Sequence, residues 1–313
     1  MSAVAEAEGR APARKTPAVT DRTKAERKLG WMLCAPAVIV MLAVTAYPVL
    51  YAVYLSLLRA DLRFPHNNTW VGLDNYGRVL GSSLWWSDVW HTLLIAVCSV
   101  IIELILGMAL AIVMHRALFG RGLIRTSALI PYGIVTVVAA FAWRFAWAKS
   151  VGGFVPKALG MSFDPLDPTH PFWNYVVVIL TEVWKTTPFM ALLLLAGLTL
   201  VPEELHEAAR VDGASAWQRF WRITVPLMRP AILVAVLFRT LDAFRVFDTV
   251  FIQTQGANKT ETVSILGYNE LITRLNIGVG SAISILIFIC VILIAVAFVR
   301  GLGTSTAQQR GET

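Results

Sequence analysis

The apolar stretch that follows Pro230 contains an unusual number of charged residues. These are Arg239, Asp242, Arg245 and Asp248. Each charge at the centre of a membrane costs about 2.5–3.5 kcal/mol on insertion scales, so these groups are not expected to face lipid unpaired. At about 100° per residue, Phe238, Asp242 and Arg245 lie within an arc of about 60° on one helix face. Charged groups beside an aromatic ring are suited to binding hydroxyl groups and the C–H face of a sugar ring.

A second apolar stretch repeats this combination of polar and aromatic residues. Glu182, Lys185, Thr186 and Phe189 lie within about 100° of one another on a helix. A simpler interpretation is internal ion pairing at i,i+3 spacing, Glu182 with Lys185 and Asp242 with Arg245. The two interpretations are compatible, because a paired charge can still bind a hydroxyl group.

Other residues in apolar segments are expected to have structural roles. Glu103 and Arg144 stand alone, and we expect them to pair with one another or with a second subunit. Trp85, Trp86 and Trp90 are expected to anchor the chain at the membrane interface. The cysteines and histidines show no ligand spacing, so no catalytic or metal-binding residue is predicted.

The composition predicts the elements that position these residues. Hydrophobic residues make up 57% of the chain and charged residues only 15%, which is typical of an integral membrane protein. A span needs about 20 largely apolar residues. The fold class predicted is an all-α polytopic membrane protein with six transmembrane helices, over 31–58, 89–114, 123–147, 174–200, 230–252 and 277–299.

The Lys/Arg distribution predicts that both termini are cytoplasmic. With the N-terminus inside, the inner segments carry more Lys and Arg than the outer loops, as the positive-inside rule requires. The net charge of +7 therefore needs no nucleic acid to explain it. Residues 1–26 are expected to form a disordered cytoplasmic tail, 27–300 the transmembrane domain, and 301–313 a second cytoplasmic tail.

The cytoplasmic loop 201–229 is predicted to contain two short helices. Pro202 ends the fourth span, and Gly213 is well placed to end the first short helix. Ser215 can cap the second, which Pro226 and Pro230 are expected to end. Helices this short are not stable alone and must pack on something. A plain amphipathic loop lying on the membrane surface is the alternative.

The same loop resembles the signature of ABC-importer permease subunits, E-A-A, three residues, G, nine residues, I-x-L/V-P. The matching residues are Glu207, Ala208, Ala209, Gly213, Ile223 and Pro226, with Val225 where leucine is more usual. Segments such as "TAYPVLYAVYLSL", "LIPYGIVTVVAAFAWRF" and "EVWKTTPFMALLLLAGL" resemble the carbohydrate, maltose-permease-like branch. Over residues 27–300 the chain is most similar to actinobacterial permeases that import trehalose and related disaccharides.

The resemblance implies a type I ABC importer transmembrane domain with two functional regions. The first helix of the loop would be the coupling helix for an ATPase, through Glu207, Ala208, Ala209, Arg210, Asp212 and Gly213. The positions that match sugar-contacting residues of the family are Glu182, Lys185, Thr186, Phe189, Phe238, Leu241, Asp242 and Arg245. These residues are more charged than in maltose permeases, so the identity of the sugar does not transfer.

The partners and cofactors expected follow from the same resemblance. The sequence has no G-x-x-x-x-G-K-S/T phosphate loop, so ATP and Mg would be used by a partner ATPase dimer and the chain itself would be no enzyme. A second, homologous permease subunit would complete a heterodimer in the membrane lipid, and an extracellular sugar-binding lipoprotein would deliver the sugar. The location implied is the bacterial plasma (inner) membrane, and the mechanism alternating access.

Two other classes of function remain as alternatives. An ion-coupled secondary sugar transporter would use Asp242 or Glu182 as its proton site, but it leaves the glycine-broken loop unexplained, and the sequence shows no internal repeat. A membrane enzyme, such as a lipid-linked glycosyltransferase, would need a carboxylate dyad or a metal site at a membrane face. It is the least favoured.

Overall fold

The structure is a computed structural model, and it describes residues 21–64, 68–116, 121–257 and 259–309. The chain divides after Tyr51 into two units. Strands are limited, among the described residues, to one antiparallel ladder of β1 (Leu58–Arg59) and β2 (Thr69–Trp70), in which Leu58 lies opposite Trp70. The predicted helical fold class is confirmed.

The helices of the described residues have the following bounds. In chain order they are α1 (Asp21–Ser56), α2 (Asp74–Leu80), α3 (Ser83–Arg116), α4 (Arg121–Gly133), α5 (Thr136–Trp147), α6 (Phe154–Ala158), α7 (Pro171–Leu198), α8 (Glu203–Val211), α9 (Ala216–Arg219), α10 (Val225–Ala243), α11 (Asp248–Gln253), α12 (Val263–Tyr268) and α13 (Ile277–Gln309). A 3-10 helix covers Lys149–Val151, and π-helices cover Phe220–Thr224 and Asn269–Thr273.

Within these ranges, five helical stretches are long and apolar enough to cross a membrane. They are Lys28–Ser56, Ser83–Arg116, Pro171–Leu198, Ala216–Ala243 and Ile277–Arg300. The pair α4 and α5 makes a sixth if it is counted as one span, although the two helices meet at 91°. The continuous third span expected over 123–147 is therefore broken. Pro131 removes a helical hydrogen bond and Gly133 is a poor helix former, so the bend falls directly after them.

The fifth membrane helix begins earlier than the sequence predicts. Helix α9, the π-helix and α10 follow one another without a break, and Pro226 and Pro230 lie inside the helical run. The prediction that these prolines end the second short helix was wrong. Pro226 directly follows the wide π turn, where the carbonyl groups are already displaced from α-helical positions, so its ring is accommodated.

The same helix also ends earlier than expected. Helix α10 stops at Ala243, and α11 begins at Asp248 after a four-residue break. Nothing in the apolar periodicity marks this break, because apolar residues continue across it. The placement of Asp242 and Arg245 on one helix face was therefore wrong, since Arg245 lies beyond the helix.

Helices α3, α7 and α10 pack together closely enough to bring their polar residues into contact. A Cβ atom added at Gly107 of α3 would lie 2.8 Å from Cγ of Met190 in α7, and one added at Gly197 of α7 would clash with Cβ of Ala231 in α10. Small residues at such contacts let helix backbones approach one another in a membrane.

The predicted tails are described only in part. Residues 1–20 and 310–313 lie outside the described residues. Helix α1 begins at Asp21, inside the segment predicted to be disordered, and α13 continues to Gln309. Long helices therefore extend past the apolar spans at both ends of the described chain.

Candidate functional site

Arg239 of α10 is the centre of a network of charges buried among the spans. Its side chain is 1% exposed. Its Nε donates to Oε2 of Glu103 at 2.6 Å, and its Nη2 donates to Oε1 of the same carboxylate at 3.0 Å. It also donates to Glu182 at 3.0 Å and to Asp242 at 2.8 Å. One guanidinium group therefore binds three carboxylates, with the two-point geometry to Glu103 that arginine favours.

Threonine hydroxyl groups complete this network. Oγ1 of Thr186 lies 2.7 Å from Oε1 of Glu103 and 2.6 Å from the carbonyl oxygen of Glu182, so its single hydroxyl proton is shared between these two acceptors. Thr249 of α11 donates to Oε1 of Glu182. The network thus joins α3, α7, α10 and α11. A buried polar network of this kind stabilises one arrangement of the helices only when its members are satisfied.

A polar cavity of about 420 Å³ lies beside the network. Its lining residues are Tyr132, Thr136, Glu182, Lys185, Thr186, Asp242, Arg245, Val246, Phe247, Asp248 and Thr249. The volume is within the roughly 300–1,000 Å³ of small-molecule sites. Asp242 is 65% exposed, so this carboxylate both accepts from Arg239 and stays open to a ligand.

The cavity contains five of the eight residues predicted to contact a sugar. These are Glu182, Lys185, Thr186, Asp242 and Arg245. Phe189 does not line the cavity. Its ring stacks on the ring of Tyr132, which does, with the two centroids 5.3 Å apart. Phe238 is 55% exposed and Leu241 is half-buried, and the structure brings neither into the lining.

The aromatic residues that line the cavity are not among those predicted from the sequence. Tyr132 belongs to α4, and the Nζ of Lys185 lies 5.6 Å from its ring centroid. The break after α10 adds Val246 and Phe247 to the lining. Only the proline and glycine on either side of Tyr132 could have marked it, because they predict a bend that turns a side chain away from a straight helix.

The alternative interpretation, ion pairing at i,i+3 spacing within each helix, is contradicted. Ion pairs between Glu182 and Lys185, or between Asp242 and Arg245, do not occur among the described residues, since both carboxylates bind Arg239 instead. Glu182 and Arg239 are brought together by the packing of α7 on α10. The cation that binds Glu182 lies on another helix, so the spacing of residues within α7 could not predict this ion pair.

The isolated residues also have other partners than expected. Glu103 is fully buried against Arg239, whereas Arg144 donates from Nη1 to the carbonyl of Ile252 at 2.7 Å. Trp85 is buried in the core and is not an interfacial anchor. Trp86 and Trp90 are exposed.

The loop after α7 has the local geometry that its sequence predicts. Gly213 has φ +78°, and its N–H donates to the carbonyl of Arg210 at 3.1 Å. The N–H of Ala214 donates to the carbonyl of Ala209 at 2.8 Å. These two hydrogen bonds form a Schellman motif that ends α8. Ser215 caps α9 in a capping box with Gln218. Both predicted signals are confirmed.

Helix α8 presents two different faces. Glu207, Ala208 and Val211 are exposed, and Val211 is exposed by 89%. On the other side, His206 and Arg210 line a second cavity of about 430 Å³. No residue of α8 is buried, so its outward face is available to another surface.

The arrangement combines hydrogen-bond donors and acceptors that can bind a polar ligand. Groups of three or more His, Cys, Asp or Glu that could hold a metal ion are absent from the part of the chain that the structure describes. Paired charges between spans, an open polar cavity beside them and an exposed helix pair at one end are the features of a membrane transport component. The chain belongs to the family of binding-protein-dependent transport system inner membrane components, whose model matches residues 103–306.

Individual relatives agree with this assignment. The chain is 52% identical over 295 residues to the trehalose transport system permease protein SugA of Mycobacterium tuberculosis, covering 93% of this chain and 95% of the relative. It is 38% identical over 280 residues to the trehalose/maltose transport system permease protein MalF of Thermococcus litoralis, covering 88% and 94%. The predicted membership of the ABC importer permeases is confirmed.

The fold is also that of a solved transporter. A crystal structure of a bacterial alginate ABC transporter, in complex with an alginate pentasaccharide-bound periplasmic protein, matches with a TM-score of 0.74 at 20% identity. The match covers 93% of this chain and 99% of that chain. At this identity the likeness concerns the fold.

Proposed function

We propose that this permease subunit forms half of the membrane pathway of an ATP-driven disaccharide importer, with trehalose as the first candidate. The single observation that carries the proposal is the polar cavity beside the Arg239 network. It combines carboxylates, cationic groups and the ring of Tyr132 in about 420 Å³. The names of the two relatives, which both include trehalose, support the choice of sugar.

The chemistry of the cavity suits a neutral polyhydroxyl ligand. Asp242, Asp248 and Glu182 are acceptors for hydroxyl groups, while Lys185 and Arg245 are donors. Since cationic and anionic groups occur together, the lining does not select for a strongly charged ligand. Tyr132 offers an aromatic surface for the C–H face of a pyranose ring.

The outward face of α8 is proposed to couple this subunit to ATP hydrolysis. Glu207, Ala208 and Val211 would seat on a cytoplasmic ATPase dimer, and Asp212 and Gly213 would end the docking helix. ATP and Mg would be bound by that ATPase. A second homologous permease and an extracellular binding lipoprotein complete the assembly, in the bacterial inner membrane with both termini cytoplasmic.

Alternating access would then act on the elements that line the cavity. The break between α10 and α11 supplies three of its residues, Arg245, Val246 and Phe247, and Asp248 begins α11. Helix α9 continues through the π-helix into α10. Movement of the docking helix, which a short link over 212–215 joins to α9, would therefore pass along that run to Asp242. The Arg239 network holds α10 to α3 and α7 during that movement.

The test is uptake of radiolabelled trehalose by the complete transporter in proteoliposomes. Asp242→Ala should weaken uptake by about tenfold or more, because a hydrogen bond to a charged group contributes about 1.5–3 kcal/mol. Asp74→Ala is the matched control, since Asp74 pairs with Arg78 on the surface and lies outside the cavity. Wild-type uptake kinetics in the Asp242 variant would remove this carboxylate from the site.

A second arm tests the source of energy. Without ATP, a sugar gradient should not build up even when an ion gradient is imposed. Accumulation under those conditions would contradict the ATP-driven mechanism and favour an ion-coupled transporter.

A further inference from the structure

A second cavity, of about 430 Å³, lies at the end of the bundle that carries the loop helices. It is distinct from the polar cavity beside Arg239 and shares none of its lining. Its walls come from the ends of α3 and α7 and from α8, α9 and the π-helix. We name it the loop-end cavity. Its lining residues are Ile112, His115, Arg116, Leu198, Val201, Glu203, His206, Arg210, Ala216, Arg219, Phe220 and Thr224.

The loop-end cavity has an excess of positive charge. Arg116, Arg210 and Arg219 contribute three guanidinium groups, against the single carboxylate of Glu203. None of the three forms an ion pair with a carboxylate of the described residues. The Nη1 of Arg219 is buried and lacks a hydrogen-bond partner within the same residues. Guanidinium groups that line a cavity and have no carboxylate partner in the described chain favour an anionic acceptor brought to the cavity from outside.

The position of the cavity narrows the class of that acceptor. Arg116 is the last residue of α3 and Leu198 the last residue of α7, so the cavity lies where the apolar spans end. Ile112, Val201 and Phe220 give it an apolar wall beside the basic one. A basic pocket between helices at this level is suited to a phospholipid headgroup.

We propose that the loop-end cavity binds a phosphate group, with an anionic phospholipid headgroup as the source that the apolar wall favours. The planar guanidinium group donates two parallel hydrogen bonds to phosphate oxygens, which suits Arg116, Arg210 and Arg219. A soluble phosphate has the same chemistry without the apolar part. A bound phosphate would tie Arg210 of α8 to the ends of α3 and α9. Its effect on coupling rests on the proposed function, but the phosphate site does not.

The experiment uses the full chain in nanodiscs of phosphatidylcholine, with and without phosphatidylglycerol. Retained lipid is identified by native mass spectrometry, and the thermal midpoint is measured in each disc. The wild-type chain should retain phosphatidylglycerol in preference to phosphatidylcholine. Arg219→Gln should weaken that retention by about fivefold, and the triple change of Arg116, Arg210 and Arg219 to Gln should abolish it.

Two further variants keep the result interpretable. Arg222→Gln is the matched control, because Arg222 is an exposed arginine of the same segment that lies outside the cavity. It should retain lipid like the wild type. Arg219→Lys keeps the charge but loses the two-point geometry, and it should fall between wild type and Arg219→Gln even if the triple variant does not fold.

The remaining arms decide between sources and can overturn the site. If inorganic phosphate, and not phosphatidylglycerol, raises the thermal midpoint in a way that needs the three arginines, the site stands with a soluble ligand. If the wild type prefers neither, or if Arg222→Gln loses as much lipid as Arg219→Gln, the phosphate site is wrong. The phosphate site is also wrong if replacing the three arginines changes co-purification of an ATPase subunit but not lipid retention. None of these readouts depends on sugar uptake.

Discussion

Two arginines in this chain have buried guanidinium atoms but differ in their hydrogen-bond partners. Arg239 lies between the spans, where three carboxylates accept from its Nε, Nη1 and Nη2. Arg219 lies at the loop end, where its Nη1 is buried without a hydrogen-bond partner among the described residues. The first arginine has three carboxylate partners within the chain, and the second has none among the described residues.

The location of a charge decides whether its partner must come from within the chain. In the membrane interior an unpaired charge is expensive, so a network among α3, α7, α10 and α11 must be closed within the chain. At the end of the bundle, water and headgroups can solvate a charge before a partner arrives. The loop can therefore keep a partly buried arginine such as Arg219 without a carboxylate partner among the described residues, whereas a span could not.

The largest effect is expected from removing the centre of the closed network. Arg239→Met should destabilise the chain by about 3–5 kcal/mol, because it leaves the fully buried Glu103 without its partner. Arg239→Lys should lose less, since it keeps the charge. The measurement is the thermal midpoint of the purified chain. Arg245→Met is the control, because Arg245 is exposed at the cavity. Equal losses for Arg239→Met and Arg245→Met would show that the buried network does not contribute more to stability than an exposed arginine at the cavity.

An intermediate effect is expected at the outward face of α8. Glu207→Arg should reduce ATP-driven uptake by more than about tenfold, since reversed charge at an interface costs several kcal/mol. The thermal midpoint of the isolated chain should not change, because Glu207 is exposed. Co-purification of the ATPase and uptake in proteoliposomes are measured together.

The control for this change is a reversal elsewhere on the surface. Lys157→Glu alters an exposed residue of α6 and should leave assembly intact. Normal assembly and uptake in the Glu207 variant would show that α8 does not couple to the ATPase.

The smallest effect is expected at the end of α8. Gly213→Ala should cost about 1 kcal/mol locally, because φ of +78° is unfavourable for a residue with a Cβ atom. Amide hydrogen exchange over 203–215 should then be about fivefold faster. Gly122→Ala in α4 is the control. A Cβ atom at this position would meet no atom within 4 Å, and φ is not positive, so hydrogen exchange over 203–215 should not change. Unchanged exchange at 203–215 would mean that α8 is held by contacts other than its cap.

The glycine and serine signals of the loop were reliable, whereas its prolines and the spacing of the charged residues were not. Gly213 and Ser215 act on backbone groups within a few residues, so their roles could be predicted from sequence. The partner of Arg239 lies 136 residues away in Glu103, and no spacing within one helix reports it. Arg245 was assigned to a helix face because apolar periodicity continues past the actual helix end at Ala243.

Hydrophobicity and capping act over one segment at a time, so the membrane class, the approximate positions of the apolar segments and the caps of the loop could be predicted from sequence. The sequence also contained the charged residues that line the cavity, but not their pairing. That one arginine binds three carboxylates, that Tyr132 enters the cavity and that the helix breaks before Asp248 became evident only in the folded chain. These outcomes depend on how closely α3, α7 and α10 approach, and that distance is set by packing between segments far apart in the chain.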